Sequence, residues 1–470
     1  MSVFSENNRV DSTGNSVKFR NRDEMLAAYN YMYNLLTKNE GVEGWTADML
    51  IYSDTHADNS YRGATDVELT QLEQQKQDGI NKNINRDWDN YFAIVGAANN
   101  IICNIDSVPD PTFTLAERKQ WKSEALILRA MIYFDIVRLW GDVPVVTVQP
   151  PAITNANIES VYSLYYPPRD SVSKVYKQMI SDLNTALEPG GAPAIDNTNK
   201  FKFSKTVANA LLAKIYAEKP VRDYDKVIQY SSEVEKDTKL VANYGDLFEM
   251  NSDKTDAKYH NTSESIFEIS FKGGGLWYTW LVGIDQSDPS SKYDWAKWCT
   301  PSRDLIKAFD DSKDVVRKAQ TIVYATVTWS NHYPSNNYPF MYKYRSKFHS
   351  VIKLRLADIL LLKAEAYLGK NDNASATALV NTIRTRAKLT SLASVTIDDI
   401  LSERRLELAF EGQRWFDLVR TDKVKSVMNT LNQRDSGRLP MDLVNDNNIL
   451  MPIPQPQIDK NPSMNQNIGY

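Results

Sequence analysis

Apolar residues recur at helical spacing through much of this chain. In the clearest stretch they are three or four positions apart: Trp121, Ala125, Leu128, Ile132, Ile136 and Leu139. A second apolar row lies beside the first, which predicts a helix that is mostly buried. Gly141 and Pro144 follow it as a cap and a stop signal.

The same spacing predicts further helices on both sides of this one. They cover 23–38, 88–105, 171–187, 204–217, 223–234, 354–368 and 374–386. Several are rich in alanine, and short turns join them in pairs. Such pairs are typical of tetratricopeptide-type repeats, although no strict period of about 34 residues is present. The pattern therefore predicts a mainly α-helical protein built from tetratricopeptide-like hairpins.

The stretch from about 240 to 348 has a different pattern. It is rich in Gly, Asn, Ser and aromatic residues, with one helical window at 301–309 and a period-two strand pattern at 265–271. A loop-rich insertion of this length on a helical scaffold is usually functional. We predict a single domain over 1–470. It has an N-terminal helical part at about 20–240, a loop-rich, partly β insertion at about 240–348, and a C-terminal helical part with an extended tail at about 349–470.

Composition and the chain start narrow the class of protein. The net charge of -4 provides no basic field for nucleic acid, and no apolar run is long enough for a membrane helix. The chain opens on polar residues without a signal peptide, which on its own indicates a cytoplasmic protein. Cys103 and Cys299 have no metal-ligand spacing, so we expect two packed free thiols.

Motifs for catalysis are absent from the sequence. No Gly-x-Ser-x-Gly elbow occurs, and Gly273 to Gly275 lack the Lys and Ser/Thr of a phosphate loop. The histidines are scattered and have no metal-ligand spacing: His56, His260, His332 and His349.

A charged segment near the C-terminus, 404–420, is predicted as one amphipathic helix. Its acids suggest acid/base chemistry at first sight, and they are Glu407, Glu411 and Asp417 together with the preceding Glu403. Arginines match them in number, and an apolar residue recurs every seven positions at Leu401, Leu408 and Trp415. We therefore expect a salt-bridged structural helix.

Tryptophans concentrate in the loop-rich insertion. An indole can stack on the apolar C–H face of a sugar ring, and aromatic stacking contributes about 0.5–1.5 kcal/mol beyond burial. The alternative is that these rings fill a secondary core under the loops. We predict that the insertion carries the ligand-binding face, with Trp277, Trp280 and Trp329 as main contacts. The full set of candidates here is Trp277, Tyr278, Trp280, Trp295, Trp298, Trp329, His332 and Tyr333.

Several blocks of sequence occur in an order typical of one protein family. A helix at 129–140 continues into Gly141-Asp142-Val143-Pro144, a turn similar to an "RLYGDVPL" motif. The other blocks are 205–216, 244–248, 264–268, 300–302, 356–366, 404–418 and the tail from Met451 to Tyr470. In this order they resemble the SusD/RagB family, the nutrient-capturing surface lipoproteins of Gram-negative bacteria.

This resemblance implies a mostly helical body with four tetratricopeptide-like pairs. It also implies a lipid-anchored lid over an outer-membrane TonB-dependent transporter of the SusC type, to which the protein presents glycan or peptide. The lipidated cysteine of the family is absent here, so the N-terminal membrane anchor is inferred and the sequence is interpreted as the mature part. The expected location is the extracellular face of the outer membrane.

The family also suggests that an N-terminal loop completes the ligand site. In this chain the corresponding patch runs from Trp45 to Asp66 and adds Trp45, Tyr61 and Arg62 to the candidates. The alternative is a surface loop with capping aspartates. Asp54, Asp58 and Asp66 could also hold a calcium ion, although their spacing is not that of an EF-hand. No other cofactor is expected.

The sequence thus favours a non-enzymatic extracellular protein that captures oligosaccharides and delivers them to a SusC-type transporter. A peptide ligand within the same family is an alternative. A cytoplasmic tetratricopeptide-type scaffold is another. The third is a glycoside hydrolase, which needs two carboxylates about 5–10 Å apart across a cleft.

Overall fold

The computed structural model describes residues 18–37, 45, 47–271, 285–288 and 298–470. In these ranges the longer α-helices are α1 (Arg22–Leu35), α3 (Lys82–Asn104), α4 (Leu115–Trp140), α6 (Val172–Ala186), α7 (Lys205–Ala217), α8 (Tyr224–Asp237), α11 (Leu356–Gly369), α12 (Asn373–Arg386) and α13 (Ile397–Glu407). The shorter ones are α2 (Val67–Glu73), α5 (Ile158–Tyr165), α9 (Arg303–Asp311), α10 (Val315–Thr321), α14 (Arg414–Arg420), α15 (Val424–Met428), α16 (Leu431–Arg434) and α17 (Gln455–Lys460).

The helices pack largely against helices that are near them in sequence. Helix α1 packs on α3, α4 on α6, α7 on α8 and α11 on α12, and each pair contacts the next. Helix α11 packs directly against α8, although the loop-rich region separates the two helices in sequence. This arrangement confirms the mainly α-helical fold with tetratricopeptide-like hairpins, while the division into one domain of three parts stays a prediction.

Helix α4 shows why these segments are helical. A capping box of Thr114 and Glu117 closes its first turn. Both predicted apolar rows are buried, so the helix lies inside the hairpin stack. Its C-terminal cap is Gly141, whose φ of 73° is in the left-handed region. A Cβ there would lie 2.6 Å from Leu450 Cδ1, so the close approach of the C-terminal tail also requires glycine.

Strands are few and short in the described part of the chain. The strands are β1 (Ser60–Tyr61), β2 (Ser265–Ile269), β3 (Thr300–Pro301), β4 (Ile322–Ala325), β5 (Tyr338–Met341) and β6 (Val351–Arg355). They form three antiparallel pairs, β1 with β3, β2 with β6 and β4 with β5. The predicted strand at 265–271 corresponds to β2. The pair β4–β5 runs from Ile322 opposite Met341 to Ala325 opposite Tyr338.

The segment from Ala47 to Tyr61 is buried, so the alternative of a surface loop is wrong. A π-helical turn, Leu50–Thr55, forms its middle. Its carboxylates are satisfied by partners elsewhere in the chain: Asp48 accepts from Arg86 and from the indole N–H of Trp298. Asp54 accepts from the backbone N–H groups of Phe410 and Gly412 at 2.9 and 3.2 Å. A polar sequence can therefore occupy the interior because every charge has a partner there.

The charged segment 404–420 is two helices rather than one. Helix α13 ends at Glu407 and α14 begins at Arg414, because Phe410 and Gly412 adopt φ of 62° and 71°. This turn directs the backbone N–H groups of Phe410 and Gly412 toward the carboxylate of Asp54, which a continuous helix could not do. The salt-bridged interpretation is confirmed: Arg404 pairs with Asp417 at 2.8 Å, and Leu401, Leu408 and Trp415 are buried.

Glu407 and Glu411 are both ion-paired. Arg355 contacts Glu407 Oε1 at 2.5 Å and Glu411 Oε2 at 2.7 Å. These buried arginine contacts hold the pKa of both carboxyls below its usual range, against the opposing effect of burial. The carboxylates of Glu407 and Glu411 are therefore both engaged in structural ion pairs.

The two cysteines are free but differ in burial. Cys299 is buried, and burial raises the pKa of its thiol well above its usual range. Cys103 is exposed on α3, which corrects the expectation that both thiols are packed. Among the described helices, none has both the length and the apolar character needed to cross a membrane.

Candidate functional site

The predicted ligand-binding residues fall into three groups. Trp277, Tyr278, Trp280 and Trp295 lie outside the described residues. Trp45, Tyr61 and Trp298 are described and buried. The third group is Arg62, Trp329, His332 and Tyr333, which are partly exposed.

Burial corrects the prediction for Trp45, Trp298 and Tyr61. The indole N–H of Trp45 donates to Asp135 Oδ2 at 3.0 Å, and that of Trp298 donates to Asp48 Oδ1 at 2.7 Å. Both rings are therefore core residues whose polar atom is satisfied by a buried carboxylate. Tyr61 presents no exposed face to a ligand and instead supports the residues around it.

The structure brings the two predicted patches together. The ring of Tyr61 lies 4.9 Å from that of His332 and 6.2 Å from that of Tyr333, measured between centroids. Residues around position 61 and residues around position 333 therefore form one surface. The proposed ligand roles of Arg62, Trp329, His332 and Tyr333 stay predictions.

Trp329, His332 and Tyr333 belong to the loop that connects β4 with β5. Antiparallel pairing of these strands brings the loop ends together, and Val327 N donates to Ser335 O at 2.7 Å. Trp329 then packs on the strand that follows. Its ring lies 4.7 Å from that of Tyr338 and 6.2 Å from that of Phe340. We call residues 326–337 the aromatic hairpin loop.

Two side chains attach this loop to the residues after β1. Asn331 Nδ2 donates to Gly63 O at 2.8 Å, and the hydroxyl of Tyr338 donates to Asn331 Oδ1. His332 Nε2 lies 2.7 Å from Arg62 O. A carbonyl only accepts, so Nε2 carries the hydrogen. Burial lowers the pKa of His332, which keeps this ring neutral.

An open pocket of about 540 Å³ lies on one side of the aromatic hairpin loop. We call it the Trp329 pocket, and it is lined by Gly63, Ala64, Thr65, Asp66, Val67, Trp329 and Asn331. Its wall combines part of an indole ring with the exposed side chains of Thr65 and Asp66. An aromatic surface beside a few hydrogen-bonding groups is the arrangement that small-molecule sites use.

Other residues of the same loop line a second open pocket, of about 360 Å³. We call it the Tyr333 pocket, and it is lined by Arg303, Ile306, Lys307, Asp310, Tyr324, Tyr333, Pro334 and Asn337. Tyr333 is held by its hydroxyl, which donates to Pro301 O at 2.7 Å. Arg303 and Tyr324 were missed from the sequence. Arg303 had one signal, which is that it directly follows the family-like block at 300–302.

A further groove is lined by a different set of residues. It has a volume of about 320 Å³ and is formed by α3, α5 and α17. Trp88, Phe92, Tyr165 and Tyr166 contribute its aromatic surface. Helix α5 was not predicted from the sequence because, of its residues, Val161 alone is buried. We call this the α5 groove.

The three aspartates considered for calcium do not form a set of ligands. Asp58 is contacted by Arg414 and Arg405, and Asp54 accepts from backbone amides. Asp66 is exposed in the Trp329 pocket. Over the described ranges, no group of three or more His, Cys, Asp or Glu side chains could hold a metal ion.

Two family models match this sequence. The model described as "SusD family" matches residues 311–470. The model described as "Starch-binding associating with outer membrane" matches residues 7–217. Together they leave only the first six residues and the stretch 218–310 unmatched.

Individual relatives agree with these models. A SusD-like protein of Formosa agariphila is 26% identical over 453 residues, which cover 84% of this chain and 83% of the relative. Surface glycan-binding protein A from Bacteroides thetaiotaomicron, solved in complex with laminarihexaose, has a TM-score of 0.77 at 19% identity and covers 95% of this chain and 99% of its own. A laminarin-binding SusD-like protein has a TM-score of 0.74 at 21% identity, and the match covers 96% of this chain and 100% of that protein. At these identities the two solved structures establish a shared fold.

Proposed function

This chain belongs to the SusD family, and from that premise we propose that it captures oligosaccharides at the bacterial cell surface and delivers them to a SusC-type TonB-dependent transporter. Two proteins with the same fold support a glycan ligand, since one was solved with laminarihexaose and the other is described as laminarin-binding. The description of the N-terminal family model supports a location at the outer membrane. The N-terminal lipid anchor is part of the same proposal.

The observation that carries the proposal is the position of Trp329. Its indole lines an open pocket and rests on Tyr338 and Phe340, so its orientation is fixed before a ligand arrives. A rigid ring loses little conformational entropy on binding. The exposed groups of Thr65 and Asp66 are placed to bond sugar hydroxyls, while the ring stacks on the C–H face of the sugar.

A binding role fits this pocket better than hydrolysis does. Glycoside hydrolysis uses two carboxyl groups about 5–10 Å apart, on opposite sides of the scissile bond. Among the described residues that line the Trp329 pocket, Asp66 is the single carboxylate. The acidic cluster at Glu407 and Glu411 is buried against Arg355 and does not reach this pocket.

Affinity gel electrophoresis against a panel of neutral and charged polysaccharides tests glycan capture. Calorimetry with oligosaccharides of the retained polysaccharide then compares Trp329→Ala with Tyr166→Ala. We expect Trp329→Ala to weaken binding about tenfold, the equivalent of about 1.4 kcal/mol. Tyr166→Ala is the matched control, because it removes an aromatic ring from the α5 groove instead.

Unchanged affinity of Trp329→Ala would reject the Trp329 pocket as the site, and weaker binding by Tyr166→Ala would move the site to the α5 groove. Retention of no polysaccharide by the wild-type protein would reject glycan capture. The transporter partnership has its own test, which is purification of the tagged protein from native outer membranes. Absence of a TonB-dependent transporter from the purified complex would contradict delivery.

A further inference from the structure

Arg303 occupies an unusual electrostatic position in the Tyr333 pocket. It is the first residue of α9, and its guanidinium lies over the ring of Tyr333 at 4.3 Å from the centroid. Its Nη2 donates to the carbonyl oxygen of His332. These contacts hold the planar group at the pocket wall, where the side chain is partly exposed.

The lysines and aspartates near Arg303 form ion pairs with one another, and these pairs do not include Arg303. Lys307 pairs with Asp311 at 2.5 Å, and Lys318 pairs with Asp310 at 2.5 Å. No carboxylate oxygen of the described residues lies within 4.0 Å of the Arg303 guanidinium nitrogens. Asp310, the one acidic side chain among the described residues of the pocket, is already paired with Lys318.

The nearest buried carboxylate orients Arg303 without pairing with it directly. The hydroxyl of Tyr61 donates to Asp435 Oδ1 and accepts from the backbone N–H of Arg303 at 2.9 Å and from Nη1 at 3.4 Å. The guanidinium has five N–H donors, and these contacts together with the His332 carbonyl use only part of them. Donors of Arg303 therefore remain for a ligand in the pocket.

We propose that the Tyr333 pocket recognises an acidic sugar, with Arg303 bonding the carboxylate of a uronic acid or the sulfate of a sulfate ester. A guanidinium matches either planar or tetrahedral oxyanions with two parallel N–H bonds, which a lysine does not. The ring of Tyr333 and the exposed ring of Tyr324 supply apolar surface for the same sugar. This inference rests on the proposed glycan-binding function and adds the chemical class of the glycan.

The test uses charged polysaccharides beside their own neutral forms. A panel of uronic acid-containing and sulfated polysaccharides is compared with the carboxyl-reduced and desulfated counterparts, which keep the same linkages. We expect a charged member to bind about tenfold or more tightly than its neutral form. Loss of binding on carboxyl reduction identifies a uronate, and loss on desulfation identifies a sulfate ester. Rising ionic strength should weaken binding of the charged member only.

Variants assign the effect to Arg303. Arg303→Gln should remove the preference for the charged form, and Arg303→Lys should retain only part of it. Lys177→Gln, which removes an exposed positive charge on α6, is the matched control and should bind as the wild type does. Thermal unfolding of each variant confirms that it is folded.

The outcomes separate this inference from the proposed function. Equal binding of charged and neutral forms, binding of neutral polysaccharides alone, or an unchanged preference in Arg303→Gln would overturn the acidic-sugar inference while glycan capture stands. Binding of no polysaccharide by the wild-type protein would overturn both.

Discussion

Arg414 and Asp58 form a buried bidentate ion pair across 356 positions of the chain. Arg414 Nε lies 2.7 Å from Asp58 Oδ1, and Nη2 lies 2.9 Å from Oδ2. Arg405 and Arg434 also approach the same carboxylate, at 3.4 and 3.2 Å. The C-terminal arginines therefore neutralise Asp58 in the buried segment that leads to β1, and through it they support one wall of the candidate site.

Replacing Asp58 by Asn should be strongly destabilising. The substitution leaves three arginines around a neutral side chain, and breaking a buried pair costs about 3–5 kcal/mol because a charge remains uncompensated. Urea unfolding followed by circular dichroism measures this loss. A matched control is Glu233→Gln, since Glu233 forms an exposed pair with Lys236 and should contribute less than about 1 kcal/mol. Equal effects of the two substitutions would contradict a structural role for the Asp58 pair.

The helical scaffold could be predicted from the sequence because its signals are local. Apolar spacing at three and four positions places α6, α7 and α11 within a few residues of their observed bounds. Helix α5 escaped prediction because its apolar side chains face outward, and spacing alone does not show what covers a face. The break between α13 and α14 was not predicted because the turn at Phe410 donates a hydrogen bond to the carboxylate of Asp54, which is far away in sequence.

The candidate site was only partly predictable for a similar reason. Aromatic composition identified Trp329, His332 and Tyr333, and His332 does lie beside Arg62 in the structure. Composition cannot distinguish an indole whose N–H meets a buried carboxylate from one that lines a pocket. Trp298 and Trp329 therefore gave the same signal, although one is in the core and the other is in a pocket wall.

Stability should fall as the pH is lowered because of buried histidines. Burial lowers the pKa of His349 from 6.5 to about 4, and its Nε2 donates to Phe248 O at 2.7 Å. The unfolded chain therefore binds more protons between these values, so stability is present above pH 6.5 and is lost as the pH falls toward 4. The loss at about pH 5 is about 2 kcal/mol for this histidine.

The variant His349→Gln isolates this effect. Asp54 opposes the histidine, because burial raises its pKa to about 6 and its proton uptake stabilises the folded state as the pH falls. The difference in unfolding free energy between about pH 7 and about pH 5 should be smaller in His349→Gln than in the wild type by about 2 kcal/mol. An identical pH dependence in the two proteins would show that His349 does not titrate in this range.

Gly412→Ala should destabilise the turn between α13 and α14. The φ of Gly412 is 71°, and a Cβ would lie 3.0 Å from Met49 Cβ. Strain and contact together should cost about 1–3 kcal/mol. Gly96 is the matched control, since it lies within α3 and a Cβ there meets nothing within 4 Å. Gly96→Ala should stabilise the protein by about 0.5–1 kcal/mol, and opposite melting shifts of the two variants are the expected result.

Asn331→Ala should weaken ligand binding without removing any aromatic ring. The Asn331 amide joins the aromatic hairpin loop to Gly63 and to Tyr338, so its loss releases the wall that carries Trp329. Two hydrogen bonds contribute about 1–2 kcal/mol to stability. A less ordered site also loses more conformational entropy when it binds a ligand. We expect calorimetry to show affinity reduced by about threefold to tenfold. Asn336→Ala, an exposed neighbour on the same loop, should bind as the wild type does. Equal affinities for the two variants would mean that Trp329 keeps its orientation without this link, and that the core packing against Phe340 is sufficient to hold it.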